Sequence, residues 1–169
     1  MGRPKGSKNG NHTEKVPVQY DYAESVEEIA KELIPKYFSF LATASIAYLF
    51  VNKEITQKGK KTVATAEKIS KKVKALCNKD FLITVSYPIW NELDQNTKKA
   101  CIHHELNHFM VEESDSGEEK FSILSHDYED FFSTIRLFGK YRGEIEVLAD
   151  VVNDIEKDKE EKTDDLFDE

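Results

Sequence analysis

Residues 94–109, DQNTKKACIHHELNHF, decide how the rest of this chain is read. Asp94 is a helix N-cap residue type standing before a run of good helix formers, which predicts a helix from about Asp94 to about Val111. Inside that run His104, Glu105 and His108 fall in an HExxH spacing. Residues i and i+4 of a helix share one face a turn apart, so His104 and His108 can offer imidazole nitrogens to a single ion. Zinc takes such nitrogens at about 2.0–2.1 Å and makes a bound water acidic near neutrality. Glu105, near the same face, is then the base that removes the proton of the attacking water and returns a proton to the leaving amine.

With five histidines in 169 residues, an HExxH arising by composition alone has an expected count of roughly 0.02. Ile102, Leu106 and Phe109 also give the helix apolar surface to bury. A catalytic zinc needs a third protein ligand and one open position. His12 lies in a polar tail, and His103 faces about 100° away from His104. His126, in SHDYEDFF, is the best remaining candidate, at the turn-like start of another helix. Asp127 and Glu129 are alternative oxygen ligands, or orient the histidines through hydrogen bonds.

The flanking sequence supplies a core for this helix. Val26, Ile29, Ala30, Leu33 and Ile34 follow helical spacing, and Ser25 with Glu28 has the form of a capping box, which predicts a helix ending near Pro35. ATASIAYLFV reads as a strand, and DFLITVSY as another with Phe81, Ile83 and Val85 on one face. Between them, residues 60–79 fit a strand passing into a short helix, and eight lysines against the one acid Glu67 over 58–79 predict a basic surface. After the HExxH helix, EESDSGEE is a polar loop and KFSIL a strand. A helix starting at Ser125 or Asp127 carries Phe131, Phe132, Ile135, Leu137 and Phe138 and stops at Gly139. A last helix, GEIEVLADVVNDIEK, dissolves into acidic sequence.

Net charge is −8, and the ends contribute much of it: residues 154–169 hold nine acids and three lysines. The organisation expected is a flexible basic tail over 1–17, one domain over 18–153 and a disordered acidic tail over 154–169. The longest apolar run, SIAYLFV, is far short of the roughly 20 residues that span a bilayer, and the N-terminus has no apolar signal core. A cytoplasmic protein without membrane partners is expected, that of a bacterial host if the chain is phage-encoded. Cys77 and Cys101, 24 residues apart with no CxxC, suit reduced thiols better than a disulfide or a cysteine zinc site.

In the first tail, GRPKGSKN resembles an AT-hook core, with Arg3 and Pro4 in a narrow A·T minor groove and Lys5 and Lys8 on phosphates. Met1 stands where the fuller motif has another arginine, so any DNA contact is weak and strongly salt-dependent.

Over residues 24–142 the chain resembles the phage metallopeptidases, a zincin-like family related in style to the SprT-like proteases. The resemblance rests on a strand ending in YPIW, the CIHHELNHF helix, and KFSILSHDYEDFFSTIRLFGKY, which looks like that family's His-Asp-x-Glu-x-Phe segment followed by a helix and glycine. It implies a small α+β zincin-like domain in which a short mixed sheet packs on the HExxH helix, with flanking helices. It also implies a zinc-dependent peptidase, one ion per chain, that hydrolyses a protein or peptide substrate. His126 takes the place of the family's downstream histidine. FLITVSY or KFSIL is the candidate sheet edge for holding substrate as an added strand. His103 and Asn107 stand where more apolar residues are expected. The competing reading is a non-catalytic, zinc-containing DNA- or protein-binding factor, such as an anti-defence protein. It leaves Glu105 without a purpose.

Overall fold

A computed structural model describes residues 17–129, 132–140 and 143–164. The tail residues Arg3, Pro4, Lys5 and Lys8 lie outside the described residues. By packing the chain falls into two compact units, one reaching Leu124 and the other starting at Ser125.

The first unit is built on a four-stranded mixed sheet. Strands β1 (Tyr20–Tyr22), β2 (Ile46–Val51), β5 (Ala64–Lys68) and β6 (Phe81–Ser86) lie in the order β1-β2-β6-β5. β2 and β6 are parallel, Ile46 opposite Phe81 and Val51 opposite Ser86, while β1 and β5 pair antiparallel at the two edges. The alternation expected of DFLITVSY holds: Phe81, Ile83 and Val85 are fully buried on one face. Each such side chain contributes about 1.5–3 kcal/mol on leaving water. A small hairpin of β3 (Ile55–Gln57) and β4 (Lys60–Thr62) precedes β5, and the surface helix α2 (Lys71–Cys77) follows it, capped by Ser70. Lys58, Lys60 and Lys61 therefore sit before β5, and Lys68, Lys71, Lys72 and Lys74 at or beyond its far end.

Helix α1 (Glu24–Tyr37) buries Val26, Ile29, Ala30 and Leu33, as their spacing predicts. The capping box does not form. Ala23 caps the helix without a side-chain hydrogen bond; its N–H bonds the Tyr48 carbonyl of β2, and its own carbonyl accepts from Val26 and Glu27. The helix start is thus fixed from the sheet, and Ser25 falls inside it. Pro35 lies within the last turn, and the helix ends close after it, at Tyr37.

After the short turn α3 (Tyr87–Trp90), the HExxH helix α4 (Gln95–Asn107) begins on Asp94, whose carboxylate accepts the Thr97 N–H at 2.8 Å. α4 packs against α1 and β5, with Ile102 and Leu106 fully buried in the shared core. It ends four residues earlier than predicted. Phe109, Met110 and Val111, three consecutive apolar residues, open strand β7 (Phe109–Glu113), which pairs antiparallel with β8 (Glu119–Ile123). Phe109 stacks on Phe81 at 4.2 Å between ring centroids, and Phe121 of β8 meets Phe81 edge-on at 5.7 Å. Burying Phe109 this way fixes the hairpin on the sheet and favours a strand over another helical turn.

The second unit holds α5 (Phe132–Phe138) and α6 (Gly143–Asp164). The predicted helix start at Ser125 or Asp127 is incorrect: residues 125–129 are irregular, and α5 begins at Phe132. It stops as expected at Gly139, whose φ of +65° is open to glycine and whose N–H bonds the Ile135 carbonyl. α6 runs through the expected GEIEVLADVVNDIEK segment, which ends at Lys157, and on through acidic sequence to Asp164. No helix among the described residues is long and apolar enough to cross a membrane.

Candidate metal centre

The helical repeat of α4 turns Ile102 and Leu106 into the core and leaves His104 exposed. His108 is the C-cap residue, with φ −71° and ψ −17°, so it keeps the helical direction although the helix hydrogen bonds end before it. The i, i+4 geometry therefore survives, with the His104 and His108 rings 5.1 Å apart and nearly perpendicular.

Chain reversal through β7 and β8 brings Leu124 back to His108. The Leu124 N–H donates to the His108 carbonyl at 2.7 Å, and His108 Nδ1 lies 2.8 Å from the Leu124 carbonyl oxygen. A carbonyl only accepts, so Nδ1 carries the hydrogen and a neutral His108 keeps its lone pair on Nε2. This is how metal-binding histidines are commonly oriented. Two residues beyond Leu124 comes His126, and ligand-capable nitrogens of His104, His108 and His126 lie within 4.8 Å of one another. Three imidazoles at this separation, one with its tautomer fixed by a backbone carbonyl, suit a metal ion. Asp127 and Glu129 are exposed residues of the same irregular segment and are not grouped with the three histidines.

Glu105 stands apart from its exposed neighbours. It is 6% exposed, and burial pushes its pKa up to about 7, against the opposing pull of His108 and of the Ala66 backbone N–H that hydrogen-bonds its carboxylate. Ala66 belongs to β5, so the outer strand of the sheet reaches the HExxH glutamate directly. Burial also raises the pKa of Cys101, one turn earlier, with the Glu105 charge adding to it.

His103 and Asn107, the departures from an apolar pattern, pair with each other. The Asn107 amide lies 3.1 Å from His103 Nδ1 and donates to the His103 carbonyl at 2.9 Å. The imidazole packs on Phe38 at 4.9 Å and Tyr37 at 5.5 Å, on the α1 side of the helix. Of the two proposed edge strands, FLITVSY is β6, paired on both sides inside the sheet and so no edge, whereas KFSIL forms β8, paired with β7 on one side in its own hairpin; the outer strand of the main sheet near Glu105 is β5. The Leu124 carbonyl and the Ala66 N–H were not legible beforehand, because backbone groups carry no residue-type signal.

No curated protein and no solved structure matches the chain at a significant level. The family model described as "Putative phage metallopeptidase" matches residues 18–156, well over half of the 169 residues, and the chain belongs to that family.

Proposed function

We propose that the protein is a zinc-dependent peptidase in which His104, His108 and His126 hold the ion and Glu105 handles the proton. The observation that carries this reading is the convergence of three imidazole nitrogens within 4.8 Å beside a glutamate that is almost wholly buried. A structural site would have no need of that carboxylate. An all-nitrogen donor set favours zinc over magnesium or calcium, which prefer oxygen.

A zinc ion so held supplies Lewis acidity and a water acidic near neutral pH. The remaining work falls to this chain's own groups. The Glu105 carboxylate accepts a proton from water as its oxygen attacks the peptide carbonyl carbon. A C–O bond forms, the C–N bond breaks, and Glu105 returns the proton to the departing amine. The Leu124 carbonyl holds His108 in one tautomer and one orientation throughout. The buried setting of Glu105 keeps competing water from its carboxylate, while the Ala66 N–H fixes where that carboxylate points.

The test is a pair of variants. Glu105→Gln should retain about one zinc per chain and lose peptide cleavage by a factor on the order of 10²–10⁴, the usual worth of a general base. His126→Ala should lose bound zinc. Cleavage surviving the first change, or full zinc after the second, refutes the assignment. The GRPK segment adds a weak contact with A·T-rich DNA to this reading. Removing residues 1–15 should abolish retention on such DNA at low salt without changing cleavage of a free peptide.

A further inference from the structure

Two alternate residues of β5 mark a path leading away from Glu105. Ala66 donates its backbone N–H to the Glu105 carboxylate. Lys68, two residues on and on the same face of the strand, sends its ammonium to the Phe121 carbonyl of β8. A cavity of about 530 Å³ opens at that end, with Lys68, Lys71 and Lys74 on one side and Lys120 and Phe121 on the other. From Ala66 to Ile69, which also lines the cavity, is three residues or roughly 10 Å of strand.

The charges there are unequal in availability. Asp80, at the base, is already engaged: it is 6% exposed, accepts the Ser45 N–H at 2.9 Å, and pairs with Lys74, whose ammonium also lies 4.7 Å from the centre of the Phe121 ring. Lys120 is paired with Glu112 at 3.8 Å. Among the described residues, neither Lys68 nor Lys71 pairs with a carboxylate. Glu118 and Glu119 enter from exposed positions of the β7–β8 hairpin. With Glu112 counted beside its partner Lys120, the lysines and acids balance, so attraction for an anion rests on Lys68 and Lys71, the two ammonium groups that no carboxylate among the described residues holds, and a single carboxylate is better matched to them than a phosphate dianion.

We propose that this cavity is a substrate subsite for a carboxylate, two or three residues from the bond that is cut. The inference rests on the peptidase reading and deepens it. A peptide lying extended beside β5 advances at the same rise per residue as the strand, so a group two or three residues from a bond held at Glu105 arrives over Lys68 and Lys71. Either an Asp or Glu side chain or the substrate's own C-terminal carboxylate offers the required group.

The experiment is cleavage of a mixed peptide library by the zinc-loaded wild type and by Lys71→Glu, with free-acid and C-terminally amidated forms of each peptide run separately. Lys71 is exposed on α2, and an unchanged melting temperature shows that the variant folds. The expected result is enrichment of Asp and Glu at one fixed position two or three residues from the cut, retained after amidation if a side chain is read and lost if the terminus is read. The ratio of kcat/KM for the acidic peptide over its alanine counterpart should fall about tenfold in Lys71→Glu, the size of one charge-assisted hydrogen bond. Cutting with no acidic preference, or with a preference unchanged in the variant, overturns the subsite while leaving the peptidase reading intact. A library left uncut by the wild type overturns both.

Discussion

Phe109 follows His108 directly, and replacing it tests whether the ring stack on Phe81 holds the end of the HExxH helix in place. Phe109 is fully buried, 4.2 Å from Phe81 with the rings inclined by only 15°, and Phe81 is buried and touched edge-on by Phe121. Phe109→Ala removes a large side chain from a site walled by sheet and hairpin, where collapse is restricted, so the cost should be about 3–5 kcal/mol. Against a typical stability of roughly 5–15 kcal/mol that is a large fraction. It corresponds to a fall in melting temperature on the order of 10 °C for a chain this size. The ring–ring part can be isolated: a double-mutant cycle of Phe81→Leu and Phe109→Leu should give a coupling of about 0.5–1.5 kcal/mol. Urea unfolding followed by the fluorescence of Trp90 is a suitable assay, because it is the chain's one tryptophan and only 3% exposed. A loss below about 1 kcal/mol for Phe109→Ala, or a coupling indistinguishable from zero, would show that the hairpin is anchored by something other than this stack.

Zinc at one hundred times its dissociation constant should stabilise the wild-type protein by about 2.7 kcal/mol, and the same zinc concentration should stabilise His126→Ala far less; equal gains in thermal melts would count against the three-histidine site. The Asp94 carboxylate is held below its ordinary pKa chiefly by the Thr97 backbone N–H and then the Thr97 hydroxyl, so its contribution is present above the usual carboxylate range and is lost as pH falls through the lowered value. Asp94→Asn should keep the cap while weakening that acid-side loss, which stability measurements between pH 2 and 6 would detect. Asp80→Ala leaves the Ser45 N–H without its acceptor and should cost about 1–3 kcal/mol, whereas Lys74→Ala should cost less than about 1 kcal/mol, since the Lys74 side chain is 42% exposed and screened. Urea titrations showing the reverse order would mean that the pair is held by its ammonium.

Periodic segments were the legible part of the fold. Val26, Ile29, Ala30 and Leu33 announce their helix through a 3.6-residue repeat, and Phe81, Ile83 and Val85 announce their strand through a two-residue one, because each pattern faces a single dominant core. The candidate site residues His104 and His108 stand out in the sequence for a related reason: a fixed i, i+4 spacing needs no tertiary knowledge. Element ends were less so. Ser25 and Glu28 have the chemistry of a capping box, yet the helix begins where Ala23 can bond the Tyr48 carbonyl, a partner 25 residues away. Lys68 shows the same limit, since its reach to the Phe121 carbonyl depends on a hairpin more than 50 residues downstream.

The boundary between His108 and Phe109 shows how one such end bears on function. Helical spacing allows α4 to continue to Val111, and a continued helix would carry residues 109–111 away as a further turn. The chain instead turns into β7 while His108 still has helical dihedral angles, so its side chain stays aligned with His104 and its carbonyl is released from the helix. The Leu124 N–H takes up that carbonyl, and the Leu124 carbonyl takes up Nδ1 of the same residue. Both bonds depend on β8 returning in register with β7, Phe109 opposite Ile123, one residue short of Leu124. A one-residue slip in the hairpin would move Leu124 off His108 and carry His126 with it. Hairpin register is therefore a condition of the proposed metal site. Inserting one glycine into the turn beside Gly117 should lower zinc affinity even though no ligand is changed. Isothermal titration giving wild-type affinity for the insertion variant would break the link between register and the third histidine.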